Sequence, residues 1–175
     1  MSSASPVSAA GLVPSLAQQF TLACGVTLLV EPMEDVQSAA YCVLVPAGAI
    51  YEPSGANGAA AVLADICTRG AGPYDSFELN SRFDRMGVQR SESAGWNFIT
   101  LSGALLPQHL PATLELYAEI LRYAHIPSEE VQPAIDGVEQ SLRALEDEPH
   151  RKDFLEVRRS AYDDPWGRPV EGTLE

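Results

Sequence analysis

Positive charge is scarce in this chain. Its 175 residues carry 11 Lys and Arg against 24 Asp and Glu, a formal net charge of -13 at pH 7. That balance argues against nucleic acid and anionic membrane surfaces as partners, since both are recognised through clustered cations. Cysteine is scarce as well. Cys24, Cys42 and Cys67 lie far apart with no C-x-x-C pair, which excludes a disulfide framework and leaves reduced thiols as the expectation. Histidine is limited to His109, His125 and His150, no two of them at a ligand spacing, so no ordinary zinc site can be built on them. No apolar run is long enough to span a bilayer. Residues 1–19, rich in Ser and Ala, contain no basic residue, and so lack the charged start of a secretory signal and the arginines of a transit peptide. They read as a flexible N-terminal tail, and 20–175 as one lobe or domain. A bacterial, cytoplasmic protein is the expectation.

What is present begins with a 46% hydrophobic composition, enough for a real core. The stretch from Gly58 to Gly70 organises the rest. From Ala59 to Cys67 every residue except Asp65 is apolar, the mark of an interior helix. Asn57 is placed to cap it, and Gly70 and Gly72 to stop it. Asp65 stands four residues before Arg69, the spacing of a helical ion pair. A hard-cation site that joins Asp65 to Asp147 or Glu139 is the less favoured alternative.

Around that helix the chain alternates strand and helix signals. Phe20 to Glu31 reads as a hairpin turning at Cys24-Gly25, and Ser38 to Pro46 as a buried strand. Asp75 to Met86 predicts a helix capped by Asp75 or Ser76 and anchored by Phe77, Leu79, Phe83 and Met86. Val88–Ala94 and Asn97–Ala104 predict antiparallel strands joined at Gly95. Leu110–Ala124 predicts a helix with Leu114, Leu116, Tyr117, Ile120 and Leu121 on its core stripe. Ile126 to Glu146 predicts a longer helix, capped by Ser128, with acids in its first turn and a kink near Pro133. Lys152–Ala161 predicts a short helix, followed by a turn-rich segment to Thr173. No Ser or Cys sits in a Gly-x-Ser-x-Gly elbow, and no Gly-rich loop has the Lys of a phosphate-binding site.

The frame of Gly58, Leu63 and Arg69-Gly70 resembles the pitrilysin/insulinase family of zinc peptidases, which includes the mitochondrial processing peptidases. Glu146-Asp147-Glu148-Pro149-His150 and Gly167-Arg168-Pro169, with Gly172-Thr173, resemble the same family, so the likeness covers about 20–175. The family helix carries an inverted His-x-x-Glu-His, which puts two zinc ligands at i and i+4 with a general-base Glu between them. Here Ala61 stands at the first His position, Ala64 at the Glu and Asp65 at the second His. Counting back from Pro149 puts the third ligand position at Ser141. Glu139 lies two residues away, about 200° round the helix.

The resemblance implies an α+β fold: an antiparallel sheet covered on one face by helices, forming an incomplete N-terminal lobe of a processing-peptidase-like fold. It implies a non-catalytic subunit or lobe of a zinc-peptidase assembly, holding no cofactor and no metal, that helps enclose a chamber and bind peptide. The implied partners are a catalytic zinc-peptidase subunit or second lobe, an extended peptide, and a second copy through an open sheet edge. The peptide would add to the strand carrying Arg90, Ser91 and Ser93. Alternatively that strand is an ordinary polar edge protected by Arg90 and Glu92. A purely structural module, or a divergent hydrolase using Asp65, Glu139 and Asp147, are the other readings.

Overall fold

The computed structural model describes residues 17–173. Residues 1–16, most of the expected tail, lie outside the described residues, while Gln18 and Gln19 already belong to a strand. The chain divides into two units, Met1–Val36 and Gln37–Glu175. The first contains the hairpin legible in the sequence. Strands β1 (Gln18–Thr21) and β2 (Thr27–Val30) pair antiparallel, with Phe20 opposite Leu28. The turn is closed by the Gly25 N–H donating to the Leu22 carbonyl at 2.9 Å.

The second unit is built on a three-stranded antiparallel sheet of β3 (Ala39–Val45), β6 (Gln89–Ala94) and β7 (Ile99–Leu105). Its order is β3-β7-β6, and Tyr41, Gly103 and Arg90 lie in one row across it. β3 is therefore an edge among the described residues. It alternates half-buried and exposed residues, with Leu44 54% exposed, and is not the buried strand expected over 38–46. The alternation follows from having one covered face.

Between β3 and β6 the chain forms α1 (Ala59–Ile66), the short ribbon β4 (Gly70–Ala71) and β5 (Tyr74–Asp75), and α2 (Ser76–Arg85). After β7 come α3 (Leu110–Tyr123), α4 (Ser128–Ala144) and α5 (Pro149–Ala161). α4 runs on through Pro133. The core joins Ile99 and Leu101 of the sheet to Leu79 and Phe83 of α2 and to Leu116, Tyr117 and Ile120 of α3. This is the α+β arrangement, an antiparallel sheet with helices packed on it, that the resemblance implied.

Several anchors differ from expectation. Phe77 is 80% exposed, because it sits about 200° round α2 from buried Leu79. Leu114 and Leu121 are also exposed: the buried stripe of α3 is Thr113, Leu116, Tyr117 and Ile120, one residue out of phase with them. Asp75 does cap α2, through a reciprocal pair with Glu78. Ser128 caps nothing; Pro127 holds the cap position of α4, and the Ser128 hydroxyl donates to the Glu129 carboxylate.

α1 starts without help from Asn57. Gly58 occupies the cap position at φ 94°, and the Glu52 carboxylate accepts from the Gly58 N–H at 3.1 Å and the Ala60 N–H at 2.8 Å. Two of the orphan donors of the helix start are thus satisfied by a buried acid from the preceding turn. Gly58 also allows close approach. A Cβ there would lie 2.9 Å from the Glu171 carbonyl oxygen, and a Cβ on Gly172 would lie 2.6 Å from that of Asn57. The C-terminal segment therefore docks backbone to backbone on the start of α1.

Candidate functional site

A cavity of about 580 Å³ opens between α1, α4, β6 and the C-terminal segment. Ala61, Ala64 and Asp65 line it from α1, and Ser141 from α4. The four positions singled out in the sequence on two distant helices thus share one cavity. Glu139 does not join them: it lines a separate trough on the other side of α1 and α4, as its 200° offset from Ser141 requires. Asp147 lines neither. The three acids of the hydrolase reading are therefore not brought together.

The α4 wall consists of Ala134, Gly137, Val138 and Ser141, spaced three and four residues apart and hence on one face. These small side chains keep the cavity open. Opposite them, Glu92, Ser93 and Ala94 of β6 form the other wall. β6 pairs with β7 alone, so its outer edge carries no strand partner among the described residues. Ser93 faces the cavity region, whereas Arg90 and Ser91 do not line it. The Arg90 side chain turns inward, where it pairs with Glu92 at 2.8 Å, donates to Asn80 and lies 4.9 Å over the Phe83 ring.

The charges of the cavity are tied to one another. Asp65 pairs with Arg69 at 2.6 Å, the i,i+4 bridge that the spacing predicts, and Arg69 also pairs with Glu130. Partial burial works against the Arg69 charge, but these two carboxylates outweigh it and hold the guanidinium above its ordinary pKa. Arg151 pairs with Glu171 at 2.5 Å. Glu92 accepts from both Arg90 and the Tyr117 hydroxyl, the latter at 3.2 Å, and Tyr117 in turn accepts from Tyr41 at 2.9 Å. Burial foremost, then the bond with Tyr41 and the charge of Glu92, push the Tyr117 hydroxyl far up, so it stays a neutral donor.

Neither Cys67 nor Ser141 is an activated nucleophile. Burial, aided by Glu92, pushes the nearby Cys67 thiol up to about 11, so it is not a thiolate at neutral pH. The Ser141 hydroxyl is turned back onto the Gly137 carbonyl at 3.1 Å. Among the described residues no three His, Cys, Asp or Glu side chains are placed to hold a metal ion. Glu52, Glu171 and Arg151 escaped the sequence reading of the site. Only Glu52 left a signal, its place in the Tyr51-Glu52-Pro53 turn just before the helix.

The chain that builds this geometry matches a known family model. Residues 28–174 fit the model described as insulinase, peptidase family M16. The chain belongs to the M16 peptidase family. Its family relatives include a zinc protease of Rickettsia bellii, 23% identical over 150 residues that cover 85% of this chain and 36% of the relative. A zinc protease of Streptomyces coelicolor is 22% identical over 156 residues, covering 89% of this chain and 34% of the relative. The chain thus spans about a third of the length of these relatives. Among solved structures it is similar to an M16 inactive domain from Pseudomonas fluorescens, with a TM-score of 0.78 and 17% identity, covering 90% of this chain and 39% of that one. A protease from Helicobacter pylori is similar at a TM-score of 0.67 and 20% identity, covering 74% of this chain and 31% of that one. These likenesses establish the M16 fold. No helix among the described residues is long and apolar enough to cross a membrane.

Proposed function

We propose that this chain is a non-catalytic member of an M16 peptidase assembly, whose lobe helps enclose the chamber and holds substrate peptide in extended form. One observation carries the reading. The positions that would bear the ligands and the general base hold Ala61, Ala64, Asp65 and Ser141, and they share one cavity with the open edge of β6. A peptide pairing with that edge would satisfy the backbone groups that β6 leaves free, and its alternate side chains would point into the cavity. The partner is a catalytic zinc-peptidase subunit or a second lobe, which supplies the metal and the attacking water. The free thiols Cys24, Cys42 and Cys67 suit a reducing compartment such as the bacterial cytoplasm.

The inward-turned Arg90 favours a second reading, a purely structural module whose edge strand meets no peptide. One experiment separates the two: extended fluorescent peptides are titrated into the purified chain, with and without zinc. Peptide binding that Ser93→Pro weakens, with no turnover, supports the proposal. Cleavage by the chain alone with stoichiometric zinc would overturn it, and absence of any binding would leave the structural module.

A further inference from the structure

On the face of α1 turned away from the cavity lies a trough of about 430 Å³. Its floor is apolar: Val62, Leu63 and Ile66 from α1, and Val131, Ile135 and Leu142 from α4. Leu63 is 36% exposed. Ile126, at its margin, holds φ at 45°, the left-handed region where a β-branched residue is a genuine outlier. Ile126 is nevertheless 46% exposed, so the strained position leaves nearly half of an apolar residue facing outward. Strain kept at a half-exposed apolar residue points to a further contact there.

The chemistry of the occupant follows from the walls. The long walls are the helices α1 and α4, with the loop residues Ala56, Asn57, Ile126 and Thr173 at the margins, so the trough offers helix faces and no strand edge. A helix with an apolar stripe fits such a surface. Acids flank the apolar floor: Glu139 and Glu171 line the trough, the latter already paired with Arg151, and Glu129 stands in the first turn of α4 beside Glu130, which is paired with Arg69. Glu139 is matched only by Arg143, 67% exposed, in a surface pair that an incoming cation can displace. With a net charge of -13, a second copy of this chain is repelled from such a surface.

We propose that the trough between α1 and α4 receives an amphipathic helix of a second polypeptide, apolar on one face and flanked by basic residues. The proposal is independent of peptide binding at β6, which uses the opposite face of α1. The test uses the full chain and two labelled helical peptides about four turns long, each with Leu at helical spacing. One carries Lys at both ends and the other Glu. Fluorescence anisotropy should show the Lys-ended peptide binding at least about tenfold more tightly, with the advantage shrinking as salt is raised. Leu63→Glu should abolish binding of both, and Glu139→Lys should narrow the difference between them; circular dichroism confirms that each variant is folded. Equal binding of the two peptides, no binding of either to the folded chain, or self-association that Leu63→Glu abolishes would each overturn the proposal.

Discussion

The Arg168 guanidinium donates to the backbone carbonyl oxygen of Glu52 at 2.7 Å, joining residues 116 apart in sequence. The same guanidinium grips the Asp164 carboxylate through Nε and a terminal nitrogen. Glu52 in turn caps α1 with its carboxylate, so the C-terminal segment, the turn before α1 and the helix itself form one connected unit. Glu52→Ala should remove the cap and leave the Arg168 bond to the backbone in place. Two buried N–H donors would lose a charged acceptor, a loss of about 2 kcal/mol. Urea unfolding should show a lower midpoint with an unchanged slope. Arg168→Lys should lower the midpoint as well, because an ammonium cannot reproduce the planar fork that serves Asp164 and Glu52 together.

The hydroxyl chain from Tyr41 through Tyr117 to Glu92 runs from one edge strand to the other through the middle of α3. Tyr117 is fully buried, 1% exposed, and its ring packs 5.2 Å from Tyr41 and 5.3 Å from Phe83 between centroids. Tyr117→Phe keeps the ring contacts and deletes both hydrogen bonds. Glu92 then keeps only Arg90, and Tyr41 loses its acceptor. A loss of about 1–3 kcal/mol is expected. Tyr41→Phe breaks one bond and leaves the bond of Tyr117 to Glu92 intact, so it should be milder. A larger loss for Tyr41→Phe would mean that the chain is not organised around Glu92.

Alkaline pH should destabilise the fold in two stages. The Cys67 thiol is raised by burial from an ordinary 9.0 to about 11. Above pH 9 the unfolded chain therefore loses this proton first and binds fewer protons than the folded one. Stability is complete below that pH and falls as pH rises toward 11, by on the order of 2 kcal/mol. Tyr41 and Tyr117 are raised above an ordinary 10.0, chiefly by burial, so they add to the fall from about pH 10 upward. Cys67→Ala should flatten the stability profile between pH 9 and 10 and lessen the fall from 10 to 11, leaving the tyrosine contribution, as denaturant titrations across that range would record.

How much of this was legible in the sequence depends on how local each cause is. α1 and its exact apolar run, the Asp65–Arg69 bridge, the Asp75 cap and the hairpin at Gly25 all rest on neighbours within a few residues, and all were read. The phase of α3 is not legible, because hydrophobicity favours leucine over threonine, yet Thr113 is wholly buried while Leu114 is 41% exposed. The cap of α1 is not legible either: Asn57 is the local candidate, and the true acceptor, Glu52, reaches the helix only after the chain turns at Gly55. A motif count singles out Ser141. That it faces Ala61 across a cavity walled by Ala134 and Gly137 is a tertiary fact, visible only once α1 and α4 are packed. Glu171 and Arg151 were out of reach for the same reason, since they meet the cavity through the docking of Gly172 on Asn57.

The shared cavity makes the proposed ligand positions testable by placing ligands there. Ala61→His and Asp65→His place two imidazoles at i and i+4 on one face of α1, and Ser141→Glu supplies a carboxylate from α4 across the same cavity. Losing Asp65 frees Arg69 to its remaining partner Glu130, so no buried charge is stranded. The triple variant should bind one zinc ion per chain, measured by calorimetry and by metal analysis after dialysis, with tighter binding as pH rises and the imidazoles lose their protons. Replacing Ser141→Glu by the native Glu139 alone, in the double variant Ala61→His/Asp65→His, should give clearly weaker binding, because Glu139 faces the trough behind α1. Equal zinc affinity in the double and triple variants would place the third ligand position elsewhere on α4. Adding Ala64→Glu to the triple variant then asks whether the general base alone restores turnover, or whether the partner lobe must be present for peptide to be cut.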